Sequence, residues 1–203
     1  MPLPFSQACE NNQEPIRQVL EQYLTSPVHL LEIGSGTGQH GAYITGKHPE
    51  LVWYPSDRKE NLAGISAWVA HSRHANFQAP IELDVNAAHW PHDPVDMVFS
   101  ANTAHIMHWQ EVQQMFRFVS LVLKAQGHFF LYGPFNYNGT FTSNGNAQFH
   151  DWLQSQAPHR GIRDFEKVNG LAMASGLTLI HDHPMPASNR MLVWQQTGFE
   201  ISR

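Results

Sequence analysis

Apolar positions along the chain fall into short blocks, separated by longer stretches in which they recur every three or four residues. Residues 28–33, 51–54, 81–83, 95–100 and 128–132 are short apolar runs. Each is followed by Gly, Asp, Asn or Pro, and each is expected to be a buried strand. Between them, 38–47, 61–72 and 110–123 carry apolar residues at helical spacing. In the last of these, Val112, Met115, Phe116, Val119, Val122 and Leu123 share one face. A further helix over 12–23, striped by Ile16, Val19, Leu20 and Tyr23, precedes the first strand. Strands that alternate with helices predict parallel pairing through right-handed crossovers, hence a three-layer α/β sheet.

The rhythm breaks after Tyr132. The stretch GPFNYNGTFTSNGNA is too long for an ordinary connection inside a compact domain and reads as a lid or binding loop. Helices are expected near 149–156 and over 163–174, then strands at 177–182 and 190–196. Only HPMPASN separates those two strands. So short a connector holds no crossover helix, which makes the pair an antiparallel hairpin. The length, 203 residues, suits one domain. Within it, 1–27 forms an N-terminal helical segment and 134–176 a loop and helix cap over the substrate region.

Composition narrows the class. Six Trp and twelve Phe in a chain that is 42% hydrophobic require a packed interior. The net charge is −5, and the twelve Lys and Arg form no basic run, which disfavours a nucleic-acid partner. Cys9 is the only cysteine, so neither an internal disulfide nor a cysteine-built zinc site can form. His105 and His108 are three apart, as are His71 and His74, but neither pair has a third ligand at a recognisable spacing, and no metal is expected. The N-terminus lacks a basic start and an apolar region, and no apolar run approaches the about 20 residues that span a bilayer. A cytoplasmic protein that touches no membrane and acts on a small molecule is the resulting expectation.

The chemistry begins at Glu32-Ile33-Gly34-Ser35-Gly36-Thr37-Gly38, where a buried strand enters a helix through a turn with three glycines. Missing Cβ atoms allow positive φ and close approach of a ligand. Gly36, Gly38 and Gly41 also satisfy the dinucleotide pattern G-x-G-x-x-G. Two details oppose a dinucleotide. The glycine that ends the strand is Gly34, so the in-register pattern is G-x-G-x-G, with Gln39 where the last dinucleotide glycine belongs. Glu32, moreover, would repel pyrophosphate but can anchor a cationic amino acid, directly or through water. Asp57 closes the second strand about twenty residues on, where a carboxylate accepts hydrogen bonds from ribose hydroxyls. Asp84 ends the third strand, placed to accept from an adenine amino group while the Val85 N–H meets the ring edge. Asp57 also suits a helix N-cap ahead of Arg58, and Asp84 a simple turn. Three acidic residues at three successive strands fit a cationic nucleoside better than a dinucleotide phosphate.

Leu30–His40 (LLEIGSGTGQH), Asp57 and Asp84 resemble the cofactor motifs of class I S-adenosylmethionine-dependent methyltransferases. The chain also resembles, over almost its whole length, a methyltransferase-like subfamily whose substrate is not established. The residues that carry this closer likeness are Glu14-Pro15-Ile16, the glycine turn, His105-Ile106 with Trp109, and YGPF at 132–135. They continue with Asn138-Gly139, Asn146-Ala147 with Phe149, Gly161-Ile162-Arg163-Asp164, and MPASN at 185–189, where relatives typically read MPANN. The resemblance implies a Rossmann-like, mostly parallel seven-stranded sheet with a C-terminal hairpin. It also implies S-adenosylmethionine as cofactor, with S-adenosylhomocysteine as product, held by Glu32, Gly34, Ser35, Gly36, Gly38, Asp57, Arg58, Asp84, Val85 and Asn102.

In such a sheet the ligand crevice lies beyond the C-terminal strand ends, so the loops after the fourth and fifth strands are where an acceptor belongs. The first, 100–109, lacks the Asn/Asp-Pro-Pro-aromatic motif of amino-methylating enzymes. His105 there is the expected general base, since an imidazole accepts a proton near neutral pH; capping or packing explains it equally well. The second loop brings Tyr132, a further candidate for proton transfer, with Phe135, Asn136 and Tyr137 as pocket residues. Trp109 is expected on the pocket wall. Arg163 and Asp164 open the later helix, facing the pocket or serving as ordinary helix-start residues. Two other readings stay open: an NAD-linked oxidoreductase, and a catalytically silent protein that keeps the cofactor pocket.

Overall fold

The N-terminal helix α1 (Gln7–Leu20) starts because the Ser6 side chain accepts from the backbone N–H of Cys9, and it buries Ile16, Val19 and Leu20. It begins five residues before the apolar stripe predicts, since its first turn is polar. The structure is a computed structural model that describes residues 3–25, 27–87, 90 and 93–198. After α1 come β1 (Val28–Ile33), α2 (Gln39–Thr45), β2 (Leu51–Asp57), α3 (Leu62–Ser72), β3 (Ile81–Glu82), β4 (Val95–Ala101), α4 (Trp109–Val122) and β5 (Leu123–Gly133). The C-terminal part holds β6 (Phe135–Asn136), α5 (Asn144–Gln156), β7 (Arg163–Asp164), α6 (Phe165–Ala174), β8 (Leu177–Met185) and β9 (Asn189–Gln196).

Seven strands form one sheet in the order β3-β2-β1-β4-β5-β9-β8. The first five are parallel, whereas β9 runs antiparallel to both β5 and β8. The expected hairpin is therefore present, and the fold class is as the sequence predicts. Side chains that alternate along β5 feed both faces: Phe129 and Leu131 join α4 and α6, while Phe130 and Tyr132 join the α1 and α2 side. Phe116, Phe129 and Trp194 pack as an aromatic cluster on the first face. With helices on both sides, the central strands are apolar on both faces, which is why they read as continuous runs.

Further boundaries differ from the sequence expectation. Strand β5 starts at Leu123, which pairs with Val95 across a bulge, so the predicted helix end belongs to the strand. Helix α5 starts at Asn144, capped by Ser143, five residues before its apolar residues signal it. Arg163 and Asp164 are not helical: they pair with Phe135 and Asn136 as a two-stranded sheet that ties the long loop down. Within that loop Asn138 and Gly139 both take positive φ (51° and 70°) and close a tight turn between Tyr137 and Thr140.

Candidate functional site

A cleft of about 910 Å³ opens at the C-terminal ends of β1, β2, β3 and β4. Its floor is the glycine turn. Gly34, Gly36 and Gly38 all have positive φ (71°, 57° and 89°), each for a different reason. A Cβ on Gly34 would sit 2.7 Å from Thr103 Cγ2, and one on Gly38 would press on Ile65 and Trp68 of α3. A Cβ on Gly36 would meet nothing within 4 Å, so of the three it is Gly36 whose Cβ direction opens on the cleft. The space beside Gly34 thus belongs to Thr103 rather than to a ligand.

Four of the turn's own amides are already used. Gly34 and Ser35 both donate to the Ser56 carbonyl at 3.0 Å, Gly38 donates to the Ser35 carbonyl, and Gly36 donates to Asp57 Oδ2 at 2.7 Å. Asp57 Oδ1 in turn accepts from the Arg58 amide and from Asn61 Nδ2. Asp57 stands in the cleft wall, only 8% exposed, with one acceptor direction of Oδ2 still open. Asp84, flanked by Leu83 and Val85, lines the same end, and its Oδ1 accepts from the Asn86 amide in a tight turn. Arg58 and Glu60 form an exposed pair at 3.2 Å over this end.

Glu32 corrects the sequence expectation. Its carboxylate, 1% exposed, does not reach the cleft. It accepts from Trp53 Nε1 at 2.9 Å and faces His40 Nδ1 at 3.6 Å. His40 does line the cleft, and its Nε2 pairs with Asn12 Oδ1 at 2.8 Å. Burial works against a charge on His40, but the neighbouring Cys9 and Glu32 prevail and raise it to about 9. Cys9, in the first turn of α1, completes this wall; burial raises its thiol, and the neighbouring His40 more than reverses that. Sequence reasoning gave His40 and Cys9 no role. The only signal was Gln-His directly after the glycine turn.

On the opposite wall, Asn102 (φ 58°) and Thr103 follow β4 and line the cleft. His105 lies behind them. It is 6% exposed, set edge-on to Phe149, and its carbonyl accepts from Gly161 N at 2.9 Å. Burial, then the charges of Arg163 and Arg160, lower it to about 4, so it is neutral at physiological pH. Arg163 donates to the carbonyls of Ala104, Met107 and His159 and so pins the whole 104–107 loop.

The remaining expected residues separate. Trp109, Asn136 and Arg163 come together, but in a smaller pocket of about 430 Å³ lined also by His150, where Asn136 Oδ1 is buried without a partner. Phe135 is in the core. Tyr137 stacks on Phe165 and donates to Asp182 Oδ2 at 2.8 Å, away from the cleft. Tyr132 is buried near Asn12 and Asn189, and burial raises its pKa. Among the described residues no group of three or more His, Cys, Asp or Glu is placed to hold a metal ion, and no helix is long and apolar enough to cross a membrane.

This strand order, with a cleft at the switch between β1 and β4, is the fold of class I S-adenosylmethionine-dependent methyltransferases. An O-methyltransferase family protein from Burkholderia thailandensis superposes with a TM-score of 0.80 at 14% identity, over 95% of this chain and 58% of that one. Human N-acetylserotonin methyltransferase in complex with S-adenosylmethionine gives 0.76 at 12% identity, over 95% and 53%. An O-methyltransferase family 2 protein from Planctomyces limnophilus in complex with apigenin gives 0.78 at 14%, over 93% and 59%. The chain thus spans little more than half the length of these proteins. It belongs to the family described as Protein of unknown function (DUF938), which it matches over residues 3–196.

Proposed function

We propose that the chain is an S-adenosylmethionine-dependent methyltransferase acting on a small-molecule acceptor. The observation that carries this reading is the occupancy of the glycine turn. A pyrophosphate needs free backbone N–H groups at the helix start. Here the amides of Gly34, Ser35, Gly36 and Gly38 are all bonded internally, one of them to the Asp57 carboxylate. These four amides are lost to a pyrophosphate, and the Asp57 carboxylate places a negative charge where the phosphates of an NAD-linked reading would go.

The residues present do fit a cationic nucleoside. The open side of Gly36 admits the ligand backbone-close, Asp57 offers an oxygen to ribose hydroxyls, and Asp84 with Val85 offers an acceptor and an amide to adenine. His40, kept charged by Cys9 and by buried Glu32, suits an amino-acid carboxylate, so both act on the cofactor through His40. When bound, S-adenosylmethionine supplies a methyl group already activated by its sulfonium. The protein's part is then to orient the acceptor and exclude water. Neither His105 nor Tyr132 is suited to proton transfer as placed, since both stand off the cleft and His105 is too weak a base near 4. Asn102 and Thr103 are the polar groups that meet an acceptor beside β4.

The test is transfer of label from methyl-labelled S-adenosylmethionine into a pooled small-molecule extract. Label in a small molecule is the expected result. Tight S-adenosylhomocysteine binding with no label in any pool would instead favour the catalytically silent reading.

A further inference from the structure

The cleft is electrically lopsided. Its β2–β3 end carries Asp57, Glu60 and Asp84, whereas its β4 end is bordered by Arg160 and by a His108–His159 stack with ring centres 3.6 Å apart. The other cations on the cleft wall are paired, Arg58 with Glu60 at 3.2 Å and His40 with Glu32 at 3.6 Å. Arg160 has no side-chain or carbonyl partner for its guanidinium among the described residues, and its Nε is buried with no hydrogen bond. The carboxylate nearest in sequence on that wall, Glu111, is committed to the His108 amide and to Asn86 Nδ2. The position of Arg160 is not accidental. Its own N–H bonds Ala157, and the next amide, Gly161, bonds the His105 carbonyl, so the segment is fastened to the loop after β4.

Arg160 lines the cleft with its charge unpaired, and a guanidinium fork matches a carboxylate in two parallel bonds. We propose that the methyl acceptor is an anion, whose carboxylate Arg160 receives at the β4 end of the cleft. This rests on the methyltransferase reading above and names the substrate class of the same site. Cationic cofactor and anionic acceptor then enter from ends of opposite sign, and their charges attract across the sheet switch. The cofactor's own carboxylate belongs at the β1 wall, where the glycine turn and His40 stand, which leaves Arg160 to the acceptor.

The test uses the full chain, methyl-labelled S-adenosylmethionine, and a small-molecule extract split on an anion-exchange resin into retained and unretained fractions. Wild-type protein labels the retained, anionic fraction. Arg160→Gln lowers that transfer by roughly 10–100-fold at limiting acceptor, and Arg160→Lys restores part of it. Both variants bind S-adenosylhomocysteine within about twofold of wild type, as measured by calorimetry, which also shows that they fold. Label confined to the unretained fraction overturns the proposal, as does equal transfer by wild type and Arg160→Gln. A loss of S-adenosylhomocysteine affinity that matches the loss of transfer also overturns it, because Arg160 would then hold the cofactor. Failure of wild-type protein to bind S-adenosylhomocysteine is a separate result, and it overturns the methyltransferase reading itself.

Discussion

On the β1–β2 wall of the cleft His40 is buried beside Glu32 and Cys9 and stands near 9; behind the β4 wall His105 is as deeply buried, beside Arg163 and Arg160, and stands near 4. Their exposures are 4% and 6%, so burial alone does not set the charge state. Burial disfavours the imidazolium in both places. The Cys9 thiol and the Glu32 carboxylate together reverse that on one wall, and two guanidinium groups reinforce it on the other. One fold thus builds a wall with a charged imidazole at the glycine turn and a wall with a neutral, arginine-backed imidazole across from it. That asymmetry suits a site that holds two unlike ligands.

The strongest way to break this contrast is Glu32→Gln. It leaves an acceptor for Trp53 but strips His40 of its buried anion, and breaking such a pair costs about 3–5 kcal/mol. Denaturant unfolding should show that loss, and a change under about 1 kcal/mol would mean the pair is not ionic. Next in size is the pH dependence. His40 is held protonated in the folded state, so its contribution is complete below about 6.5 and is lost as pH rises toward 9. His105 is held neutral, so its unfolded form binds the extra proton and stability falls as pH drops from about 6.5 toward 4. Each arm amounts to roughly 3 kcal/mol. Subtracting the profiles of His40→Gln and His105→Gln from wild type should isolate the alkaline and acid arms respectively, and identical profiles would refute the assigned charge states.

Arg163→Met probes the neutral wall. It leaves the carbonyls of Ala104, Met107 and His159 without their donor, at a cost of about 2–3 kcal/mol, while S-adenosylhomocysteine affinity changes little. Equal loss on both measures would place Arg163 in the cofactor site. The smallest effect is expected for Asp57→Ala, which should weaken S-adenosylhomocysteine binding by about 1–3 kcal/mol in a calorimetric titration. Unaltered affinity would remove Asp57 from ribose binding.

The sequence speaks clearly where periodicity is long. The strands at β1, β2 and β4 and the stripe of α4 are legible because both faces of the sheet are covered, and the β8–β9 pairing is legible because its connector is too short for a helix. Two-residue strands such as β7 have no period to read, so Arg163 and Asp164 are assigned to the helix they precede. The candidate site is legible in part. Asp57, Asp84 and the glycines stand at strand ends, where spacing locates them, and they do line one cleft or its floor. The direction of Glu32 is not readable, because Trp53 and His40 approach it only in three dimensions. Cys9 and Arg160 reach the cleft from segments remote in sequence, His40 shows its role only once α1 packs Cys9 against it, and Gly34 and Gly36 look alike until Thr103 packs beside one of them.

That last pair offers the most direct measurement. S-adenosylhomocysteine and NAD are titrated by calorimetry into wild-type protein and into Gly36→Val. Wild type should bind S-adenosylhomocysteine and not NAD. Gly36→Val places its methyls in open cleft at a positive φ and should lose that binding by roughly 100-fold or more while the rest of the fold persists. NAD binding by wild type, or full S-adenosylhomocysteine affinity in Gly36→Val, would contradict the assignment of this turn to a methyl donor.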